Sequence, residues 1–104
     1  MNHKGVWILA EQNGGCVLRV SHELLTRGIE LAEKRGCELT AVIFGHEING
    51  DDLQGLIDRG ADRVIATEAP ELEHFLVEPY AACMLKLLAD EKPEIVIAGD
   101  RKST

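Results

Sequence analysis

The chain has 104 residues, 45% of them hydrophobic and only 4% aromatic, enough for one domain whose core is built from Leu, Ile, Val and Ala. Its 11 Lys and Arg stand against 18 Asp and Glu, a formal charge of −7, and the cations are scattered, which argues against nucleic acid because phosphate contact needs clustered Lys and Arg. No apolar run approaches the ~20 residues of a membrane helix, and the run behind the N-terminus is too short for a signal peptide, so no membrane insertion is expected and the cytoplasm is the expected compartment.

The first element is the run Val6 to Ala10. It is apolar at every position, as a strand buried on both faces of a parallel sheet must be. Asn13, Gly14 and Gly15 then signal a tight turn, and Val17 to Val20 suits a short extended return. Ser21 is placed to cap a helix, with Glu23 complementing the positive end and Val20 and Leu25 forming a hydrophobic staple. Leu24, Gly28 and Leu31 share one stripe of that helix, flanked by Leu25, Ile29 and Ala32. A mid-helix glycine costs about 1 kcal/mol relative to Ala, so Gly28 predicts close packing against the sheet. Lys34 and Arg35 suit the negative helix end, and Gly36 suits the left-handed position that stops it.

Leu39 to Phe44 is the second buried strand, followed by a loop through Gly45, Asn49 and Gly50. Asp51 and Asp52 open a short helix with Leu53, Leu56 and Ile57 on one face, closed by Arg59 and Gly60. Arg63 to Thr67 gives the third strand, and Ala69 to Val77 is mostly loop. Pro79 sits in the first turn of a helix that turns Tyr80, Met84, Leu87 and Leu88 inward. Lys92 and Pro93 end it, and Glu94 to Ala98 is the fourth strand.

Strands alternating with helices imply βαβ units with right-handed crossovers. The expected fold is therefore α/β, a three-layer sandwich with a mostly parallel sheet, in one domain spanning residues 1–104. A further helix is expected after the fourth strand, where Ser103 and Thr104 would cap it, so the architecture reads as incomplete at the C-terminus. An apolar strip on one sheet face is expected to stay uncovered.

Ligands of such sheets bind beyond the carboxyl ends of the strands. The nucleotide candidates there are Asn13, Gly14 and Gly15 after the first strand, and Gly99, Ser103 and Thr104 after the fourth. Neither stretch carries a GxGxxG or a GxxxxGK[ST] pattern. His3, His22, His46 and His74 lie far apart without an i, i+4 pair, so no metal site is expected. Cys16, Cys37 and Cys83 form no CxxC, and the last two sit in apolar settings as small core residues. Nothing pairs a nucleophile with an adjacent base, and no catalytic residue is expected.

Several stretches, in order and at matching spacing, resemble the N-terminal domain of the electron transfer flavoprotein alpha subunit. They are Gly5 to Gln12 (GVWILAEQ), Val20 to Leu25 (VSHELL), Leu39 to His46 (LTAVIFGH), Gly60 to Val64 (GADRV), Glu78 to Ala81 (EPYA) and Lys92 to Val96 (KPEIV). The resemblance covers nearly the whole chain. It implies an adenine-nucleotide-binding, HUP-like or Rossmann-like topology. It also implies an alpha subunit cut before its FAD-binding C-terminal domain, so that this chain holds scaffold and partner surface and no flavin ligand. The family implies a beta subunit as partner, FAD in the complete complex, and electrons carried from flavin dehydrogenases to a quinone reductase or another acceptor. The alternative is a small adenine-nucleotide-binding module of the universal-stress-protein type, with the candidates above lining an AMP or ATP site. The missing SGGxDS-type loop weighs against it.

Overall fold

The computed structural model describes residues 5–13, 15–72, 77–93 and 95–98. In chain order these give β1 (Val6–Ala10), β2 (Gln12–Asn13), β3 (Cys16–Val17), α1 (Arg19–Arg35), β4 (Leu39–Gly45), α2 (Gly50–Asp58), β5 (Arg63–Glu68), a 3-10 turn (Pro70–Leu72), α3 (Val77–Glu91) and β6 (Ile95–Ala98). The four longer strands form a parallel sheet in the order β5-β4-β1-β6, and β2 pairs antiparallel with β3 in a small ribbon.

Strand order explains the layers. The chain steps from β1 to β4 to β5 in one direction, through α1 and α2. It then crosses the whole sheet to reach β6 on the far side of β1. Right-handed crossovers in opposite directions place their helices on opposite faces. Accordingly α1 packs with Leu24, Leu25 and Ala32 against Val6, Ile8, Leu39, Ala41 and Ile43, joined by Leu56 of α2. The alternate residues of the same strands, Trp7, Val42 and Phe44, face Tyr80, Cys83, Met84, Leu87 and Leu88 of α3. The sheet is thus the middle of three layers, and it is apolar on both sides. Every residue of β4 is buried, whereas the edge strands β5 and β6 alternate between half-buried and exposed. Burial on both faces therefore marks the central strands, whereas β6 is an apolar run, IVIA, that stays half-open at the edge.

Ser21 does not cap α1. The helix begins three residues earlier, with Leu18 at the cap position and no side-chain cap bond, so the extended return is only Cys16–Val17. Ser21 is fully buried in the first turn, where its hydroxyl accepts from Glu11 N–H (2.7 Å) and donates to Glu11 O (3.1 Å). Two backbone groups just past β1 outbid the helix's own amides for that oxygen. Leu18 N–H adds a bond to Glu11 O (2.8 Å).

The helix ends follow the sequence more closely. Gly36 adopts φ 65° and stops α1, with its N–H on Glu33 O. Asn49 caps α2, its side chain accepting from the amides of Asp51 and Asp52. Gly28 lies tight on the sheet, as its cost demands: a Cβ there would stand 2.7 Å from Leu39 Cδ1 and 2.8 Å from Ile8 Cγ2. α3 does not reach over β6. Val96, the neighbour of Trp7 on that face, is 38% exposed, and Ala98 is exposed as well, so an apolar strip does lie open beside the second core.

Candidate functional site

The strand order reverses between β1 and β6, and ligands of open α/β sheets sit beyond the carboxyl ends at such a point. Around that edge the structure gathers the loop after β1, the loop after β4, the 3-10 turn and the start of α3.

One side chain ties them together. Gln12 is 6% exposed. Its Oε1 accepts from Gly15 N–H (2.9 Å), and its Nε2 donates to Leu72 O and to the Tyr80 hydroxyl (3.2 Å each). The Tyr80 hydroxyl lies 3.0 Å from both Phe44 O and Leu72 O, and its ring meets Phe44 edge to face at 5.5 Å. A Cβ on Gly45 would stand 2.8 Å from Gln12 Cδ, so the glycine ending β4 makes room for this amide. The residues involved are 60 and 68 positions apart in sequence, which is why pattern reading passed over them. The available signals were a lone Gln after an all-apolar strand and a single Tyr on an apolar helix stripe, whose hydroxyl needs a partner when buried.

Of the sequence candidates, Gly14, Gly99, Ser103 and Thr104 lie outside the described residues. Asn13 pairs with Cys16 in the ribbon. Gly15 has φ 89°, and a Cβ there would fall 2.5 Å from Glu47 O, so both its conformation and its packing require glycine. Its N–H faces Gln12, and its carbonyl accepts from Asn49 N–H (2.8 Å). Val17 N–H donates to Asp52 Oδ2 (2.9 Å), and Ala69 N–H to Gly45 O (2.9 Å). A phosphate cradle needs backbone N–H groups aimed outward together. Here the amides of Glu11, Gly15, Val17 and Asn49 are each taken by a group of the chain itself. Those four amides and the Gln12 side chain form an internally bonded polar plug.

The opposite edge holds a cleft of about 230 Å³ between the end of α1 and the start of β4, lined by Ile29, Ala32, Cys37, Gly60 and Asp62. That is below the roughly 300 Å³ at which ligand pockets begin. The Asp62 carboxylate in it accepts from Leu39 N–H (2.8 Å). Cys37 and Cys83 are half-buried against the first and second cores, and Cys16 is exposed. Among the described residues no three His, Cys, Asp or Glu side chains converge on a common point, and no helix is long and apolar enough to cross a membrane.

Burial of His22 on α1 and the neighbouring Arg59 guanidinium hold its imidazole below the usual range, with Asp52 pulling weakly the other way. Its Nδ1 is buried without a hydrogen-bond partner. The group sits at the α1–α2 seam, near Arg59 and Asp52.

Residues 6–104 match the electron transfer flavoprotein domain family. The chain is 44% identical over 98 residues to the electron transfer flavoprotein subunit alpha of Clostridium acetobutylicum, covering 94% of this chain and 29% of that protein. It is 36% identical to the protein FixB of Clostridium saccharobutylicum, with the same coverage. Against the acryloyl-CoA reductase electron transfer subunit beta of Anaerotignum propionicum it is 32% identical over 92% of this chain and 26% of that one. The chain therefore spans a little under a third of the length of these relatives.

Proposed function

The chain belongs to the electron transfer flavoprotein family, and from that premise we propose that it is the amino-terminal scaffold and subunit-interface domain of an alpha subunit. In this reading residues 1–104 are one domain of a FAD-containing heterodimer that carries electrons between flavin dehydrogenases and a downstream acceptor in the cytoplasm. A beta subunit of the family is the partner. The chain itself carries position and surface, and performs no catalysis; one relative is named as an electron transfer subunit of acryloyl-CoA reductase.

The observation that carries this reading is coverage: the match to alpha subunits runs through 94% of this chain while taking up 29% of theirs. The carboxyl edge supports the further point that FAD is not held here. A flavin's diphosphate needs outward N–H groups or cations, and the amides of Glu11, Gly15, Val17 and Asn49 on that edge are internally bound. These four amides are not available to a cofactor's diphosphate.

Two measurements test the proposal. Titration calorimetry with FAD, AMP and ATP is expected to give no heat of binding. Mixing the chain with the beta subunit from the same organism is expected to give a complex by analytical ultracentrifugation. Stoichiometric FAD or micromolar AMP binding by the chain alone would overturn the cofactor placement, and failure to associate would overturn the interface role.

A further inference from the structure

We propose that α3 is a detachable layer: a helix latched at its N-terminal end by Tyr80 and Gln12, hinged at Lys92 and Pro93, that opens while the rest of the sandwich stays folded. Four observations bear on it.

The helix is shallowly seated. Where α1 fully buries Ser21, Leu24, Leu25, Gly28 and Ala32, no described side chain of α3 is fully buried, and Leu85 is 67% exposed. Segments with few buried apolar contacts open at lower free energy than the core does.

The flanking strands have support besides α3, though Ile65 of β5 also packs against the second core. Val64 of β5 and Ile95 and Ile97 of β6 pack against the first core, under α1 and α2. Both strands also keep their parallel partners, β4 and β1, when α3 leaves. The crossover can therefore part from the sheet at both ends without unzipping it.

The two ends of α3 are held differently. At the start, the Tyr80 hydroxyl reaches two backbone carbonyls beneath the helix, and Gln12 braces it. At the end, the tie is a half-exposed Arg63–Glu91 ion pair (3.2 Å), worth little in solvent. Lys92 follows in a left-handed conformation, φ 50°, which a residue with a Cβ holds only under constraint, and Pro93 fixes the next step of the backbone. A strained residue beside a stiff one is where a small rotation swings a helix.

The opening has a defined consequence. It uncovers Trp7, Val42 and Phe44, a contiguous apolar face on the two central strands, continuous with the strip that Val96 and Ala98 already leave exposed. The fold thus contains a means of enlarging one apolar surface without losing its first core.

Native-state hydrogen exchange on the 104-residue chain tests this. The amides of residues 81–91 are expected to exchange together and at least tenfold faster than those of α1 and β4. Tyr80→Phe, which removes the hydroxyl and keeps the ring, is expected to speed exchange in α3 by roughly five- to tenfold, the equivalent of one hydrogen bond, and to leave α1 and β4 unchanged. Labelling of Cys83 by a thiol reagent, followed by peptide mass, is expected to accelerate in the same variant while Cys37 keeps its rate. If wild-type α3 amides exchange only with global unfolding, or if Tyr80→Phe speeds α1, β4 and α3 alike, there is no separate layer.

Discussion

The two faces of this sheet are cut from the same strands, yet they are closed by different means. Under α1 and α2 the contact is aliphatic and close: Leu24, Leu25 and Ala32 are buried, and Gly28 lets the helix backbone approach Ile8 and Leu39 directly. Under α3 the ceiling is half-exposed, and a polar peg, Tyr80 with Gln12, does part of the fixing. The difference follows from topology. α1 and α2 each span neighbouring strands, whereas α3 must cross from one edge of the sheet to the other. Two helices, α1 and α2, pack on one face, whereas among the described helices α3 alone packs on the other. Equal hydrophobicity in two sheet faces therefore does not imply equal stability of their covering layers.

Truncations in the two layers give the largest expected contrast. Leu25 is 1% exposed, so Leu25→Ala leaves a cavity and is expected to cost about 3 kcal/mol in urea unfolding. Leu88 is half-buried on α3, and Leu88→Ala is expected to cost about 1 kcal/mol. Equal losses at the two positions would erase the distinction between the layers.

Gln12→Leu probes the peg. Leucine has similar bulk but neither accepts from Gly15 N–H nor donates to Leu72 O and Tyr80. Leaving buried polar groups unpaired is expected to cost roughly 2 kcal/mol. Because the amide joins both loops to α3, the loss is expected to appear with an increased blue-shifted emission on adding a hydrophobic dye. A fully stable variant with no dye binding would mean that water replaces the amide at no cost.

Some of this architecture was legible in the residues, and the reasons differ by element. β1 and β4 were plain because central parallel strands must be apolar on both sides, and Val6 to Ala10 and Leu39 to Phe44 are. Gly36 announced the end of α1 because few other residues take a left-handed φ freely. The start of α1 was misread because Ser21 has two uses for one hydroxyl, and only the position of Glu11 decides between them. The Gln12–Leu72–Tyr80 set was invisible for a deeper reason. Its members come from three separate stretches, and no periodicity links them. Gly15 stands out in the sequence as part of a tight turn, and its positive φ and its close fit against Glu47 are what require glycine there.

A glycine pair sharpens the close-approach argument further. At Gly28 an added Cβ meets Ile8 Cγ2, which branches from a stiff Cβ, and Leu39 Cδ1 in a buried side chain. Gly28→Ala is expected to lose about 1 kcal/mol, overpacking outweighing the gain in helix propensity. At Gly55 on α2 nothing lies within 4 Å of the added atom. There the same substitution is expected to gain about 0.5–1 kcal/mol. Opposite signs in thermal unfolding would assign the cost to the sheet contact; the same sign would assign it to the backbone alone.

The smallest expected effect lies within the better-packed layer, at His22 on the seam between α1 and α2. Burial and then Arg59 disfavour its charged form, and Asp52 only partly opposes them. Its folded-state pKa is therefore below the 6.5 of an unperturbed imidazole. The folded chain binds fewer protons than the unfolded one between those two values, so stability rises with pH there. The neutral ring's contribution is complete above pH 6.5 and declines as the solution is acidified through the window below it. His22→Gln is expected to flatten the melting temperature between pH 5 and 7 without lowering it at pH 7.5. The decisive reading is the His22 ring proton followed by NMR. Arg59→Met is expected to move its midpoint up toward 6.5, and Asp52→Asn to move it further down. A wild-type midpoint at or above 6.5 would show that the seam admits water freely, and that even the tighter face of the sandwich is sealed only over its strands.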